Sequence, residues 1–120
     1  MAAAARGADA LYLRRVIALS ERARAGGRQP FAALVVSPLG DVLPAAENRA
    51  VGPDSDATGH AELEAVRAAS RQHSPEALAA TLYSSAEARA MCAGAIYWSG
   101  IGRLVYGLSE SRLRAPGFWR

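Results

Sequence analysis

The sequence predicts an α/β protein, a three-layer α/β/α fold around a mixed sheet with an N-terminal hairpin and later parallel strands. Three observations carry this. Two short apolar runs flank the turn signal "SPLGD", which reads as a hairpin. After the hairpin, helix-like and strand-like segments alternate. Strands joined by crossover helices are expected to lie parallel and to be covered on their faces.

The elements follow in order. "ALYLRRVIALSERARAGG" spaces Leu11, Leu13, Val16, Ile17 and Leu19 largely along one helical face, with arginines opposite. Gly26 and Gly27 end this first helix. "FAALVV", Phe31 to Val36, is apolar throughout and follows Pro30, as a buried strand would. "VLPAAEN" supplies the hairpin's second arm, and Pro44 keeps that arm near an edge or bulge. "RAVGPDSDATG" is a loop by its Gly, Pro, Asp and Ser content. A second helix is expected from Thr58, as N-cap, through "HAELEAVRAASRQ". "ATLYSS" is a third strand, "AEARAMCAGAIYWSG" a helix ended by Gly100, and "RLVYGL" a fourth strand.

Composition bounds the function. At 120 residues, 51% hydrophobic and 21% charged, the chain fits one globular domain over 1–120. No apolar run nears the roughly 20 residues that span a bilayer. The N-terminal alanines lack a basic segment followed by an apolar one, so no secretory signal is read there. Net charge is +3, carried wholly by arginine and not lysine. The arginines are scattered, which argues against a dedicated nucleic-acid stripe. One cysteine cannot form an internal disulfide, and a reducing, cytoplasmic setting is expected.

That cysteine, Cys92, lies early in the third helix, while His60, Ala61 and Glu62 form an H-x-E triplet at the start of the second. Two helix N-termini meeting at one pocket favour a thiolate, and a thiolate binds zinc. Each residue also has a plainer reading. His60 can be structural, Glu62 can serve the helix dipole, Cys92 can be a packed core thiol, and Asn48 can cap its loop.

In sequence, H-x-E followed by P-C-x-x-C is the signature of zinc deaminases. The chain resembles the cytidine/deoxycytidylate deaminase superfamily, in the branch of guanine, cytosine, nucleoside and tRNA adenosine deaminases. "PFAALVV", "ENRA", "DATGHAELEAV" and "TLYSSAEARAMCAGAIYWSGI" carry the likeness in order. The resemblance implies a hydrolase that converts an amino group to a keto group and releases ammonia. It implies Zn2+ on His60 and Cys92, Glu62 as catalytic proton shuttle, and Asn48 and the Ala61 N–H as substrate contacts. The implied substrate is a small nucleobase or nucleoside rather than tRNA, and the implied assembly a homo-oligomer, without a membrane partner. Two departures stand out. The family's first ligand cysteine is Arg89 here, and an arginine cannot ligate zinc. The chain also stops soon after the last matched strand, so the domain reads as C-terminally shortened. The alternative reading is an inactive pseudoenzyme or partner subunit. Arg89 itself is expected either to point into solvent or to pair with Glu62 in the vacated metal position.

Overall fold

The computed structural model describes residues 8–43, 45–48, 50, 56–72 and 80–108. Within them the chain runs α1 (Asp9–Ala25), β1 (Ala32–Val36), β2 (Ala46–Glu47), α2 (Ala61–Gln72), β3 (Thr81–Ala86), α3 (Ala90–Ser99) and β4 (Arg103–Leu108). The strands form one mixed sheet in the order β2-β1-β3-β4. β1 pairs antiparallel with β2 and β3, and β3 pairs parallel with β4, as α3 between them requires.

The three layers are visible in the packing. On one face, Val16 of α1 meets Leu34, Val36, Tyr83 and Val105. On the other, α2 and α3 set Ala61, Ala65, Ala69 and Ile96 against Ala33, Val35, Leu82 and Leu104. Alternate residues of each strand serve alternate layers, so β1 is buried along its whole length. The alanines of α2 let that helix lie close to the sheet. Leu34, Leu82, Ile96, Val16 and Val35 are the largest wholly buried apolar side chains, each contributing about 1.5–3 kcal/mol.

Three details differ from the sequence-based expectation. First, α1 forms where expected but turns a different face inward. Its buried residues are Asp9, Val16, Ser20 and Ala23, whereas Leu11 and Ile17 are exposed. The reason is polar. Asp9 accepts a hydrogen bond from the Tyr83 hydroxyl at 2.6 Å and another from Arg103 Nη1 at 2.8 Å, and Arg103 Nη2 bonds its second oxygen. Once Asp9 is committed to that buried pair, the stripe through Val16, Ser20 and Ala23 follows at helical spacing. Second, the hairpin's second arm is reduced to Ala46–Glu47 and an isolated bridge between Val36 and Val42. Pro44 lies outside the described residues. Third, α2 begins at Ala61 and not at Thr58. Asp56 Oδ1 accepts from both the Thr58 N–H and the Thr58 hydroxyl, which uses that side chain in a turn before the helix starts.

Tyr97 and Trp98 are exposed on α3 with their rings edge to face at 5.6 Å. Among the described residues no helix is long and apolar enough to cross a membrane.

Candidate active site

β3 ends at Ala86, and four residues later α3 begins. Arg89 is the N-cap of α3, in extended backbone, and its carbonyl accepts from the Ala93 N–H at 2.7 Å. No side chain caps this helix end. Cys92, three residues further on, points inward and is 1% exposed.

α2 meets this corner with its own first turn. The His60 N–H donates to the Thr58 carbonyl and its carbonyl accepts from Glu64, so His60 sits at the helix mouth, half-buried. Ala61 opens the helix and is fully buried. The first N–H groups of any helix have no intrahelical acceptor, and here they face the corner where α3 starts. Glu62 is buried, at 8% exposure. The Leu63 N–H lies near enough to the Cys92 sulfur to favour its thiolate, so the two helix starts adjoin here.

Electrostatics at the corner follow from dryness. Burial pushes the Glu62 carboxyl from 4.5 up to about 7, against the opposing pull of its own backbone N–H and of the Arg89 charge. Burial likewise pushes the Cys92 thiol up to about 12, the Glu62 charge adding to it and the Leu63 N–H opposing it. Arg89 therefore acts on Glu62 at a distance. Its side chain is exposed and forms no ion pair with Glu62. The expected salt bridge in the vacated metal position is not made: a guanidinium at this N-cap reaches water more readily than it enters a dry corner.

The structure thus brings Glu62, Leu63 N–H and Cys92 together, with Arg89 at the rim. Asn48 is buried directly after β2; its N–H donates to the Phe31 carbonyl, and its Oδ1 accepts from the Ala50 N–H at 2.9 Å, the loop-capping geometry. His73 lies outside the described residues. Sequence reasoning missed Asp9, Tyr83 and Arg103 as a buried polar group. The available signal was an arginine opening an otherwise apolar strand.

The donor set does not suit a catalytic zinc. Such a site takes three protein ligands plus water. Of the three positions the resemblance implies, His60 and Cys92 carry donors and position 89 carries an arginine, and no group of three His, Cys, Asp or Glu side chains able to hold a metal exists among the described residues.

The domain model for the cytidine and deoxycytidylate deaminase zinc-binding region matches residues 7–108. The chain belongs to this family. It is 43% identical over 105 residues to a probable cytosine deaminase of Schizosaccharomyces pombe, covering 88% of this chain and 63% of that protein. It is 34% identical over 110 residues to the tRNA-specific adenosine deaminase of Haemophilus influenzae, covering 91% of this chain and 63% of that one. Among solved structures, guanine deaminase from Nitrosomonas europaea superposes with a TM-score of 0.76 at 30% identity, covering 98% of this chain and 66% of that chain. The chain thus spans a little under two thirds of the length of these relatives.

Buried Glu62 has a measurable consequence. Its folded-state pKa lies above its unfolded value, so its contribution to stability is complete below pH 4.5 and is lost as pH rises through 7. Glu62→Gln keeps the neutral shape at every pH. In metal-free protein the variant is expected to match wild type at pH 4 and to exceed it at pH 8.5 by on the order of 3 kcal/mol in urea unfolding. Equal stability at both pH values would show that the carboxyl is solvated.

Proposed function

We propose that this chain descends from hydrolytic deaminases of a small nucleobase or nucleoside and is impaired at its metal site. The reaction class is replacement of a ring amino group by a keto oxygen, with ammonia released. Glu62 is the group that would carry the proton between the attacking water and the ring nitrogen, and its buried position beside Cys92 suits a carboxyl that must hold a proton near neutral pH. His60 and Cys92 are the remaining ligand positions. The Ala61 N–H and Asn48 are the contacts for the base. Support for the substrate class comes from relatives named cytosine deaminase and guanine deaminase.

The observation that carries the impairment is Arg89, an exposed guanidinium at the N-cap of α3 where a third ligand is needed. No step through zinc is derived for this donor set. A second reading, an inactive partner subunit in a cytoplasmic homo-oligomer, has its own support. α3 carries no charged residue from Ala90 to Ser99 yet exposes Met91, Tyr97 and Trp98. A helix that is apolar all round is normally covered.

Protein purified without chelator is expected to hold far less than one zinc per chain and to release no ammonia from cytosine, guanine, cytidine or adenosine. Stoichiometric zinc with ammonia release from any of these would overturn the impairment.

A further inference from the structure

α3 has the wrong charge at one end and none at the other. A helix carries partial positive charge at its N-terminus and partial negative charge at its C-terminus. Yet α3 opens on Arg89, with no acidic residue in its first turn and no basic residue in its last. The Arg89 guanidinium is exposed and, among the described residues, makes no hydrogen bond or ion pair. Within one chain, a cation thus sits at the positive end. The closing carbonyls, which have no intrahelical donors, are left without one.

The face between those ends is apolar and open. Cys92 and Ile96 are the buried residues of α3 and mark its inward side. Gly94, midway between them in sequence, lies on the opposite line of the helix. Met91, Tyr97 and Trp98, three or four residues to either side of Gly94, flank it and are all exposed. A Cβ added at Gly94 would meet nothing within 4 Å. Glycine weakens a helix interior, and no contact among the described residues explains one at the centre of this face. It does let a second backbone approach closely. Tyr97 is 68% and Trp98 85% exposed, on the order of 300 Å² of aromatic surface per protomer. Doubled across a two-fold axis, that is the core of a small, reversible interface rather than a permanent one.

We propose that α3 pairs antiparallel with α3 of a second copy, crossing at Gly94, and that Arg89 of each protomer neutralises the C-terminal end of the other's helix. Arg89 and Ser99 lie equally far from Gly94 along the chain, so a two-fold axis there sets Arg89 beside the partner's Ser99 and its closing carbonyls. The same axis sets Met91 against the partner's Tyr97 and brings the guanidinium within reach of the partner's Trp98 ring. A second copy is the partner that the charges fit, because one isologous contact corrects both helix ends at once. Arg89, which removes a ligand from the metal corner, thereby serves the interface. This deepens the homo-oligomer reading given above and stands whether or not the metal site is impaired.

Sedimentation of the full chain tests it. The wild type is expected to pass from monomer to dimer over about a hundred-fold range of protein concentration. Gly94→Gln is expected to raise the dissociation constant at least about tenfold. Its monomer should resist urea at least as well as wild type, because glutamine is the better helix former and the site is open. Arg89→Glu is expected to weaken the dimer by a similar factor. Adding Ser99→Arg to it should bring the dimer back, since each acid then faces the partner's new cation. Leu39→Glu, at a residue 91% exposed in the turn after β1, is the control and leaves the dimer intact. A wild type that stays monomeric overturns the inference together with the homo-oligomer reading. A dimer that ignores both Gly94→Gln and Arg89→Glu overturns the inference alone and leaves that reading standing. A dimer lost with Gly94→Gln but untouched by Arg89→Glu overturns the antiparallel pairing.

Discussion

Arg89→Cys is expected to convert a chain that holds little or no zinc into one that binds about one zinc per molecule. The argument is geometric. Residue 89 is the N-cap of α3 and Cys92 is the third helical residue. In a capping box the N-cap and N3 side chains each reach the other residue's backbone N–H, so both lean over the same helix start and a sulfur at 89 is expected near the Cys92 sulfur. The dipole there favours thiolates, and His60, whose backbone opens α2, is expected to supply the third protein ligand. The backbone at 89 is extended, φ −93° and ψ −173°, which any residue adopts. Its side chain is exposed, so removing the guanidinium opens no cavity. Removing it also takes a positive charge from the rim of a site meant for a dication. Zinc held a thousand-fold above its dissociation constant would stabilise the fold by about 4 kcal/mol, read as a chelator-sensitive rise in unfolding temperature. Arg89→Ala is the control and should gain neither zinc nor stability. If the cysteine variant stays metal-free, the two helix starts do not converge as described.

How much of this was readable from sequence depends on whether the deciding interaction was local. β4 is legible at its limits because "RLVYGL" is short, largely apolar and preceded by the glycine-containing "SGIG". Gly100 was read as the stop of α3 because a left-handed C-cap favours glycine, and its φ is 87°. The inward face of α1 was misread because a longer-range pair decided it. Leu11 and Ile17 extend the apolar stripe yet stay exposed, while Leu13 and Val16 face the core and Asp9 is drawn inside by Arg103, 94 residues away. No local pattern encodes that partnership. The start of α2 slipped for the opposite reason. Thr58 is a good cap, but Asp56 two residues earlier took its hydrogen bonds first. At the site, the motif sets Glu62 and Cys92 at two helix starts, and the Glu62 charge acts on the Cys92 thiol there. Whether Arg89 turned inward could not be read from the motif. That depended on weighing a dry corner against open water, which only the packing around Glu62 reveals.

The same buried pair gives the largest expected loss of stability. Asp9 is 1% exposed and Arg103 8%, and their two hydrogen bonds join the start of α1 to the start of β4 across the sheet. The Tyr83 hydroxyl donates to the same carboxylate from β3. Burial and the Asp9 carboxylate keep that phenol protonated, pushing it up to about 12, with the Arg103 guanidinium opposing them. Asp9→Ala leaves the guanidinium in place, out of water and without its carboxylate. Breaking a buried pair from one side costs about 3–5 kcal/mol, a large part of the roughly 5–15 kcal/mol that holds a domain of this size together. The variant is expected to unfold at much lower urea than wild type. The triple change Asp9→Leu, Tyr83→Phe, Arg103→Met should recover most of that loss, because apolar groups of similar volume need no partner there. Recovery would mean that the cost of Asp9→Ala comes from an orphaned charge, and that the polar stripe of α1 specifies which face turns inward rather than supplying net stability. A triple variant as weak as the single one would mean instead that the ion pair itself holds α1 to the sheet. In that case Val16 and Ala23 would be insufficient anchors, and α1 should be the first element to exchange its amide hydrogens in the wild-type protein.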